Sequence, residues 1–558
     1  MTCVRPGPIG PHSIDSYLPA DRREPLVEAT IGDLLRRHAR SVPDRVALIE
    51  AAPDPMTRRS WTYAQLFDSA TRVASDLLDR FEPGDRVAVW AANHAEWILL
   101  QQGCALAGIV LVTINPAFLE TEAGYVLRQS RARGLFHDSS YRGHSIADTV
   151  TELSPRLPDL QHTVCFDDWA GFHTTASTTC ALPVVKPGDP LQIQYTSGTT
   201  GAAKGAVLHH RGVLNAARFT AVGCRFQAGE TWANAMPMFH IGGVLTATAT
   251  FALAGCYVLA PGFDAAHMIE LVETHHATIT LLVPTMLTAL LDHPDHETRD
   301  LSSLRTVLSG ASQVPAELVR RTRAALGCAV TIVFGQTELH GILTQTSTED
   351  TPEDQSGTIG RPLPHVEVKI VDPATGETLP RGEPGELCAR GYQTMIGYFD
   401  LPHDSAATLE SDGWLRTGDL AAIDERGYLT ITGRLRDMII RGGVNIYPRE
   451  IEDVLIAHPG VAEAAVVAVP DDYWGERIAA IVRPVDPSVP VEPDELREHC
   501  RAHLARFKSP TDWYFTDALP TTATGKVQKF RLRKAIADGS LRCGHVGDVA
   551  AATCSQRS

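Results

Sequence analysis

The sequence predicts an α/β protein in two parts. The first is a large N-terminal domain of parallel α/β subdomains with a small β-rich subdomain. The second is a smaller, mobile α+β domain at the C-terminal end. Three observations predict this. Apolar runs of strand length alternate with segments of helical period through most of the chain. Turn signals crowd the stretch from Gly357 to Gly433. A fresh alternation of helix and strand patterns begins after it. At 558 residues the chain is also too long for a single hydrophobic core.

Taken in order, "TYAQLFDSATRVASDLL" opens with Thr62 and Gln65 at capping-box spacing. Its apolar residues Leu66, Ala70, Val73, Ala74, Leu77 and Leu78 fall on one helical face. The runs "RVAVWAA" from Arg86, "GIVLVTI" from Gly108, "ATITLLVP" from Ala277 and "VTIVFG" from Val330 read as buried strands of a largely parallel sheet. "VLTATATFALAGCYVLAPG", Val244 to Gly262, is the most apolar segment. It carries three threonines and breaks at Pro261-Gly262, so a buried helix followed by a strand fits it better than a membrane span. "PATGETLPRGEPGE" is the densest of the turn-rich stretches. Beyond it, "PREIEDVLIAH" reads as a helix with Pro448 in its first turn. "VAEAAVVAV" and "RIAAIVRPV" read as strands, and "EPDELREHCRAHLARF" as a helix. The expected division is residues 1–435 and 436–558, with a hinge near Arg436 and a loose tail after Cys543.

The composition, 44% hydrophobic and 21% charged, is that of a soluble globular protein. A net charge of −16 argues against non-specific nucleic-acid binding, which needs a basic surface. The eleven cysteines include no C-x-x-C pair and no zinc-ligand spacing, so reduced, cytoplasmic thiols are expected. The opening "MTCVRPGPIGPHS" has no apolar core like that of a signal peptide. No transmembrane segment is expected. Peripheral membrane contact stays open, and oligomeric state is not legible.

"TSGTTGAAKG", Thr196 to Gly205, follows the strand-like "LQIQY". Phosphate cradles need convergent backbone N–H groups, which glycine permits, with hydroxyl donors and a cation beside them. Thr196, Ser197, Gly198, Thr199, Thr200, Gly201 and Lys204 supply these at the ligand edge of an open sheet. It is not a Walker loop, because Lys204 lies between Ala203 and Gly205. Five further segments follow in order. They are "PMFHIGG" with His240, "SGAS" with Gly310 and Ala311, "VFGQTE" from Val333 to Glu338, "LRTGDLA" with Asp419, and "GRLRDMIIRGGVNIYPREIE" with Arg434, Gly442 and Gly443. "PTTATGKVQK" then carries Lys526.

Together, from about Ile31 onward, these motifs resemble the adenylate-forming superfamily of acyl- and aryl-CoA synthetases, luciferases and peptide-synthetase adenylation domains. Ala203 stands where the family usually has proline, and Arg436 where its hinge is typically Asp or Lys. The resemblance implies that the loop at Thr196 holds the β- and γ-phosphates of ATP. Phe334, with Gly335, Gln336 and Thr337, would meet adenine, as would Gly310 and Ala311. Glu338 and Thr200 would hold Mg²⁺, a cation that prefers carboxylate and phosphate oxygens. Asp419 would take the ribose hydroxyls, and Arg434 ribose and phosphate. Gly442 and Gly443 would let the pantetheine of CoA pass. Lys526 would contact the substrate carboxylate and α-phosphate, and His240 would lie near that carboxylate.

The activity implied is a two-step ligation. A carboxylic acid attacks ATP to give acyl-adenylate and pyrophosphate, and CoA displaces AMP after the small domain rotates about the hinge. No acid lies in "PMFHIGG" to neutralise an amino-acid ammonium, and no carrier-domain sequence follows Lys526, so peptide-synthetase membership is not expected. The small or apolar Phe239, Ile241, Gly242, Gly243 and Leu339 point to an aliphatic acid of medium or long chain. A fatty acyl-AMP ligase loading a carrier protein and an aryl-CoA ligase stay as alternatives. The uninterrupted "GRLRDMIIRGGVNIYP" favours CoA as acceptor. A catalytically dead nucleotide-binding regulator is disfavoured by the presence of Lys526, Glu338 and Asp419.

Overall fold

Two open α/β sheets carry most of the chain in a computed structural model that describes residues 15–172, 181–196, 203–441, 444–471, 473–486, 488, 491–521 and 527–541. The first has seven strands, in the order 397–398, 204–209, 190–196, 110–114, 86–90, 134–137 and 162–165. Its last five are parallel, and the strands Pro190–Thr196, Lys204–His209 and Gly397–Tyr398 pair antiparallel. The second sheet has nine strands and a parallel centre that includes Cys256–Leu259, Thr231–Asn234, Ile279–Leu281, Thr306–Gly310 and Ala329–Phe334. The apolar runs expected at Arg86, Gly108, Ala277 and Val330 are all strands of these sheets.

Helices fill the space around and between the sheets. Tyr63–Leu78 is capped by Thr62 and Gln65 as the spacing predicts, with the Gln65 N–H donating to the Thr62 hydroxyl at 3.3 Å. It packs on Ala95–Ala107, whose thirteen residues are all buried. That helix shows no amphipathic period because it has no solvent face. A Cβ on its Gly103 would lie 2.4 Å from Val73, so the close approach requires glycine. The apolar segment from Val244 resolves into the helix Ile241–Ala252 and the strand Cys256–Leu259. Its threonines turn inward: the Thr250 and Thr246 hydroxyls donate to the carbonyls of Thr246 and Gly243 at 2.8 and 2.9 Å, which satisfies them in the core. Among the described residues no helix is long and apolar enough to cross a membrane.

The turn-rich stretch supplies four strands, 366–371, 385–391, 415–423 and 429–434, of a five-stranded antiparallel sheet whose edge is Tyr17–Leu18 from near the start of the chain. A single 3-10 turn, Leu435–Asp437, connects its last strand to Ile439–Arg441, the first of another sheet. This last sheet centres on the long pair Val461–Asp471 and Gly475–Pro484. Its own core includes Ile451, Leu455, Ile478, Leu496 and Trp513. Cys104, Cys165, Cys224, Cys256, Cys328, Cys388 and Cys500 are free thiols.

Candidate active site

Thr196, Lys204, Gly310, Phe334 and Arg434 stand at strand ends. Thr196 and Lys204 face each other across an antiparallel pair, so the loop between them is pinned at both ends. Ser197, Gly198, Thr199, Thr200 and Gly201 lie outside the described residues, as do Gly442, Gly443 and Lys526. The Ala203 carbonyl, where the loop departs from the family pattern, accepts the Tyr125 hydroxyl at 2.9 Å. The Lys204 ammonium is paired with Asp404 and stands 5.2 Å from the centroid of the Tyr398 ring. The Tyr398 hydroxyl donates to Glu338 Oε1 at 2.8 Å. One tyrosine therefore joins the lysine of the glycine-rich loop to the carboxylate of "VFGQTE".

Glu338 sits in a 3-10 turn, Thr337–Leu339, after the strand Ala329–Phe334. The chain must fold back tightly here: a Cβ on Gly335 would lie 2.1 Å from the Gly341 carbonyl oxygen. Phe334, Gly335, Gln336 and Thr337 are half-buried and Glu338 is buried. Gly310 ends the adjacent strand, its Cα paired with that of Val333. A Cβ on Gly310 would meet the Val333 carbonyl oxygen at 2.2 Å. Ala311 follows with φ 66°, a left-handed conformation costly for a residue with a Cβ. Strain of that kind collects at functional loops, and this one lies at the C-terminal edge of a parallel sheet.

His240 caps the helix Ile241–Ala252, its Nδ1 accepting the Gly242 N–H at 3.1 Å. The positive end of that helix favours an anion beside it. Asn93 and Gln194 fix the segment before the helix. The Asn93 side-chain amide accepts the Met238 N–H at 2.7 Å and donates to the Met236 carbonyl at 3.0 Å, and Gln194 donates to the Phe239 carbonyl at 2.7 Å. Gly341 packs against Ile241 and Leu245, so the Glu338 turn and the His240 helix are neighbours. Ile241 and Leu339 are core residues, and Gly243 has no room for a side chain, with Pro237 O 2.4 Å from a Cβ there.

Two histidines brace the floor. The His340 ring accepts the His209 N–H at Nε2, 3.0 Å, which makes its Nδ1 the donor to the Gln393 carbonyl at 2.6 Å. His209 accepts the Gly212 N–H at Nδ1 and faces the Thr394 carbonyl with Nε2. The rings lie 4.4 Å apart, and Gly212 leaves the space that His340 occupies. Burial drives the His209 pKa down to about 4 and that of His340 well below the ordinary histidine range. Both are thus neutral supports with fixed tautomers. The loop they hold, residues 393–395, delivers the Met395 N–H to the Glu338 carbonyl at 2.9 Å and leads into Tyr398.

Asp419 and Arg434 are cross-strand partners on the antiparallel sheet, with Arg434 Nε 3.4 Å from Asp419 Oδ1. Arg436 lies exposed in the turn Leu435–Asp437. Asp437 pairs with Arg533 at 3.4 Å, tying the turn to the helix Lys529–Ala537. Lys529 is turned onto Glu452 at 2.7 Å and belongs to packing.

A magnesium ion held chiefly by nucleotide phosphates takes only one or two carboxylates from protein. The buried Glu338 fits that demand. Among the described residues no cluster of three His, Cys, Asp or Glu side chains forms a protein-only metal cage. Sequence reading missed Tyr398, Asp404, Asn93, His209 and His340, whose partners are distant in the chain.

The AMP-binding enzyme family matches residues 35–399, and the AMP-binding enzyme C-terminal domain matches residues 450–526. The chain belongs to the AMP-binding enzyme family. It is 39% identical over 540 residues to the putative acyl-CoA synthetase YngI of Bacillus subtilis (strain 168), covering 91% of this chain and 97% of that relative. Identity to the mitochondrial medium-chain acyl-CoA ligase ACSF2 of Rattus norvegicus is 33% over 576 residues, covering 96% of this chain and 91% of that one. The fold matches o-succinylbenzoate CoA synthetase (MenE) of Bacillus subtilis, solved with its acyl-adenylate intermediate, at TM-score 0.79 and 29% identity. That match covers 91% of this chain and 99% of the other. The α/β architecture with its smaller C-terminal unit is therefore that of adenylate-forming enzymes.

Proposed function

We propose that this member of the family is an AMP-forming acid–thiol ligase that converts a medium- or long-chain fatty acid to its CoA thioester. The observation that carries the proposal is the Lys204–Tyr398–Glu338 arrangement. A cation for phosphate and a buried carboxylate for a phosphate-bound divalent ion stand on one tyrosine, at the ends of strands from both α/β sheets.

A carboxylate is a poor acylating agent because its oxygen leaves badly. Its attack on the α-phosphorus of ATP expels pyrophosphate and leaves an acyl-adenylate. The thiolate of CoA then attacks the acyl carbon and AMP departs. No covalent enzyme nucleophile is needed, so the protein's work is positioning and charge stabilisation. Thr196 to Lys204 would hold the β- and γ-phosphates, Phe334 and the Gly310–Ala311 strand end would flank adenine, and Asp419 with Arg434 would hold the ribose. Glu338 and Thr200 would bind Mg²⁺, which offsets the phosphate charge that repels an incoming carboxylate. His240 at its helix start would face the carboxylate, and Lys526 would bridge it to the α-phosphate. Residues 436–558 would form a mobile unit. It presents Lys526 first and, after turning about Arg436, the Gly442–Gly443 face to pantetheine. The free cysteines support a reducing, cytoplasmic setting.

The curated relatives support an acyl-CoA ligase, and the apolar "PMFHIGG" segment supports an aliphatic acid. The MenE match supports a second reading, an aromatic acid. The test is incubation with ATP, Mg²⁺ and acids from C2 to C18 and aromatic acids, with and without CoA, measuring pyrophosphate, acyl-adenylate and acyl-CoA. Thioester formed only with CoA, and best with C8 to C18 acids, is expected. Adenylate that accumulates and ignores CoA would instead assign an acyl-AMP ligase.

A further inference from the structure

Tyr398 belongs to none of the motifs read from the sequence, yet both charges of the phosphate site bear on it. We propose that Tyr398 is a positioning residue, whose hydroxyl orients the Glu338 carboxylate toward a nucleotide-bound divalent cation while its ring sets the place of Lys204. This rests on the reading of the site as one for magnesium nucleotide.

The phenol has little freedom. Tyr398 and Gly397 pair antiparallel with Ala206 and Val207, two residues beyond Lys204. The Tyr398 N–H donates to the Ser405 hydroxyl at 2.8 Å, and the Phe399 N–H to the Gly205 carbonyl at 2.8 Å. The ring therefore moves only with the strand that carries Lys204. From that mount its hydroxyl reaches Glu338 Oε1 at 2.8 Å, across 60 residues of sequence. Glutamate has three side-chain torsions, and a hydrogen bond on one oxygen removes much of their freedom. The same mount places the Lys204 ammonium 5.2 Å from the ring centroid, in an ion pair with Asp404. Asp404 is the third residue of the helix Pro402–Thr408 and the neighbour of Ser405, so it too is fixed to Tyr398 through the Ser405 hydroxyl bonds. Asp404 occupies the ammonium until a polyphosphate competes for it.

A ring that merely filled space would serve equally well as phenylalanine, and this separates the two roles. Tyr398→Phe keeps the ring and its face toward Lys204 and loses only the hydroxyl. ATP binding to the full chain is measured by calorimetry with Mg²⁺ and with chelator, for the parent, Y398F, E338Q and the double variant. The gain in affinity that Mg²⁺ confers should shrink on the order of tenfold in Y398F, the usual cost of losing a partner that orients a metal ligand. Affinity in chelator should stay within about twofold, since the cradle and Lys204 are untouched. E338Q should abolish the gain, and the double variant should lose no more than E338Q alone. Y398F that keeps the full Mg²⁺ gain while E338Q loses it overturns the proposal and leaves the site reading standing. Equal loss with and without Mg²⁺ also overturns it, since the tyrosine would then only shape the pocket. E338Q that keeps the gain removes the assignment of Glu338, and the proposal with it.

Discussion

The Glu338 side of the candidate site and the side at the proposed hinge are built differently. On the first side, Glu338 is buried, held by Tyr398 at 2.8 Å, and backed by the neutral pair His209 and His340. Glu338 takes directional hydrogen bonds from a sheet strand and a packed loop: the Tyr398 hydroxyl on its carboxylate and the Met395 N–H on its carbonyl. At the proposed hinge, Asp419 meets Arg434 at 3.4 Å and Asp437 meets Arg533 at 3.4 Å, with Arg436 exposed between them. Long ion pairs of this kind hold a position weakly and are readily exchanged. The difference teaches that the Glu338 side is preorganised by short directional bonds, whereas the longer contacts around Leu435–Asp437 are what the proposed rotation would require.

The largest effect that would sharpen this contrast is at Lys526. Lys526→Ala should slow adenylate formation by roughly 10²–10³-fold, by analogy with loss of a single transition-state donor. Thioester formation from supplied acyl-adenylate should stay within a fewfold of the parent, and equal loss in both half-reactions would break the two-state account. Arg436→Pro comes next. Proline fixes φ in the hinge turn, so CoA transfer should fall by about tenfold or more while adenylation is largely kept. Quenched-flow measurement of the two steps checks this. Asp419→Asn should raise the KM for ATP by roughly tenfold, the worth of a charge-assisted hydrogen bond, with kcat less affected; steady-state kinetics at varied ATP decides it.

The smallest effects are on stability, and they differ in sign between two histidine sites. His209 and His210 are buried neutral, with pKa pushed down to about 4 by burial. The unfolded chain binds more protons than the folded one between about pH 4 and the unfolded value near 6.5, so stability should fall as pH drops through that window. His94 is the opposite case. Burial opposes its charge, but hydrogen bonds to Asp138 at 3.0 Å and Glu96 at 3.3 Å prevail and raise its pKa to about 9. Its contribution should be complete below about pH 6.5 and lost as pH rises toward 9. Thermal unfolding across pH 4 to 9 should therefore peak near pH 6.5, and His94→Gln should flatten only the alkaline limb.

Much of this was legible in the sequence where the signal is local. The Thr62–Gln65 cap and the strand runs at Arg86, Gly108 and Val330 rest on neighbouring residues, and they fold as read. The helix Ala95–Ala107 was not legible, because burial on all sides erases the period on which a helix is read. "VFGQTE" and "LRTGDLA" stand out as short patterns, but the groups that orient them do not. Tyr398 lies 60 residues from Glu338, and Asp404 lies 200 residues from Lys204. The pairing of Gly397–Tyr398 with the Lys204 strand, and the packing of that sheet against the Glu338 turn, bring them together, and no local spacing encodes either. His340 looks like an ordinary residue after a motif. Its role depends on the space that Gly212 leaves and on a carbonyl 53 residues away.

The most direct test of the central claim follows one oxygen atom. The acid that gives turnover is supplied with ¹⁸O in both carboxylate oxygens, together with ATP, Mg²⁺ and CoA, and the products are weighed by mass spectrometry. Attack on the α-phosphorus predicts one ¹⁸O in AMP for each acyl-CoA formed and none in pyrophosphate. Label in pyrophosphate or orthophosphate, or thioester formed with unlabelled AMP, would contradict it.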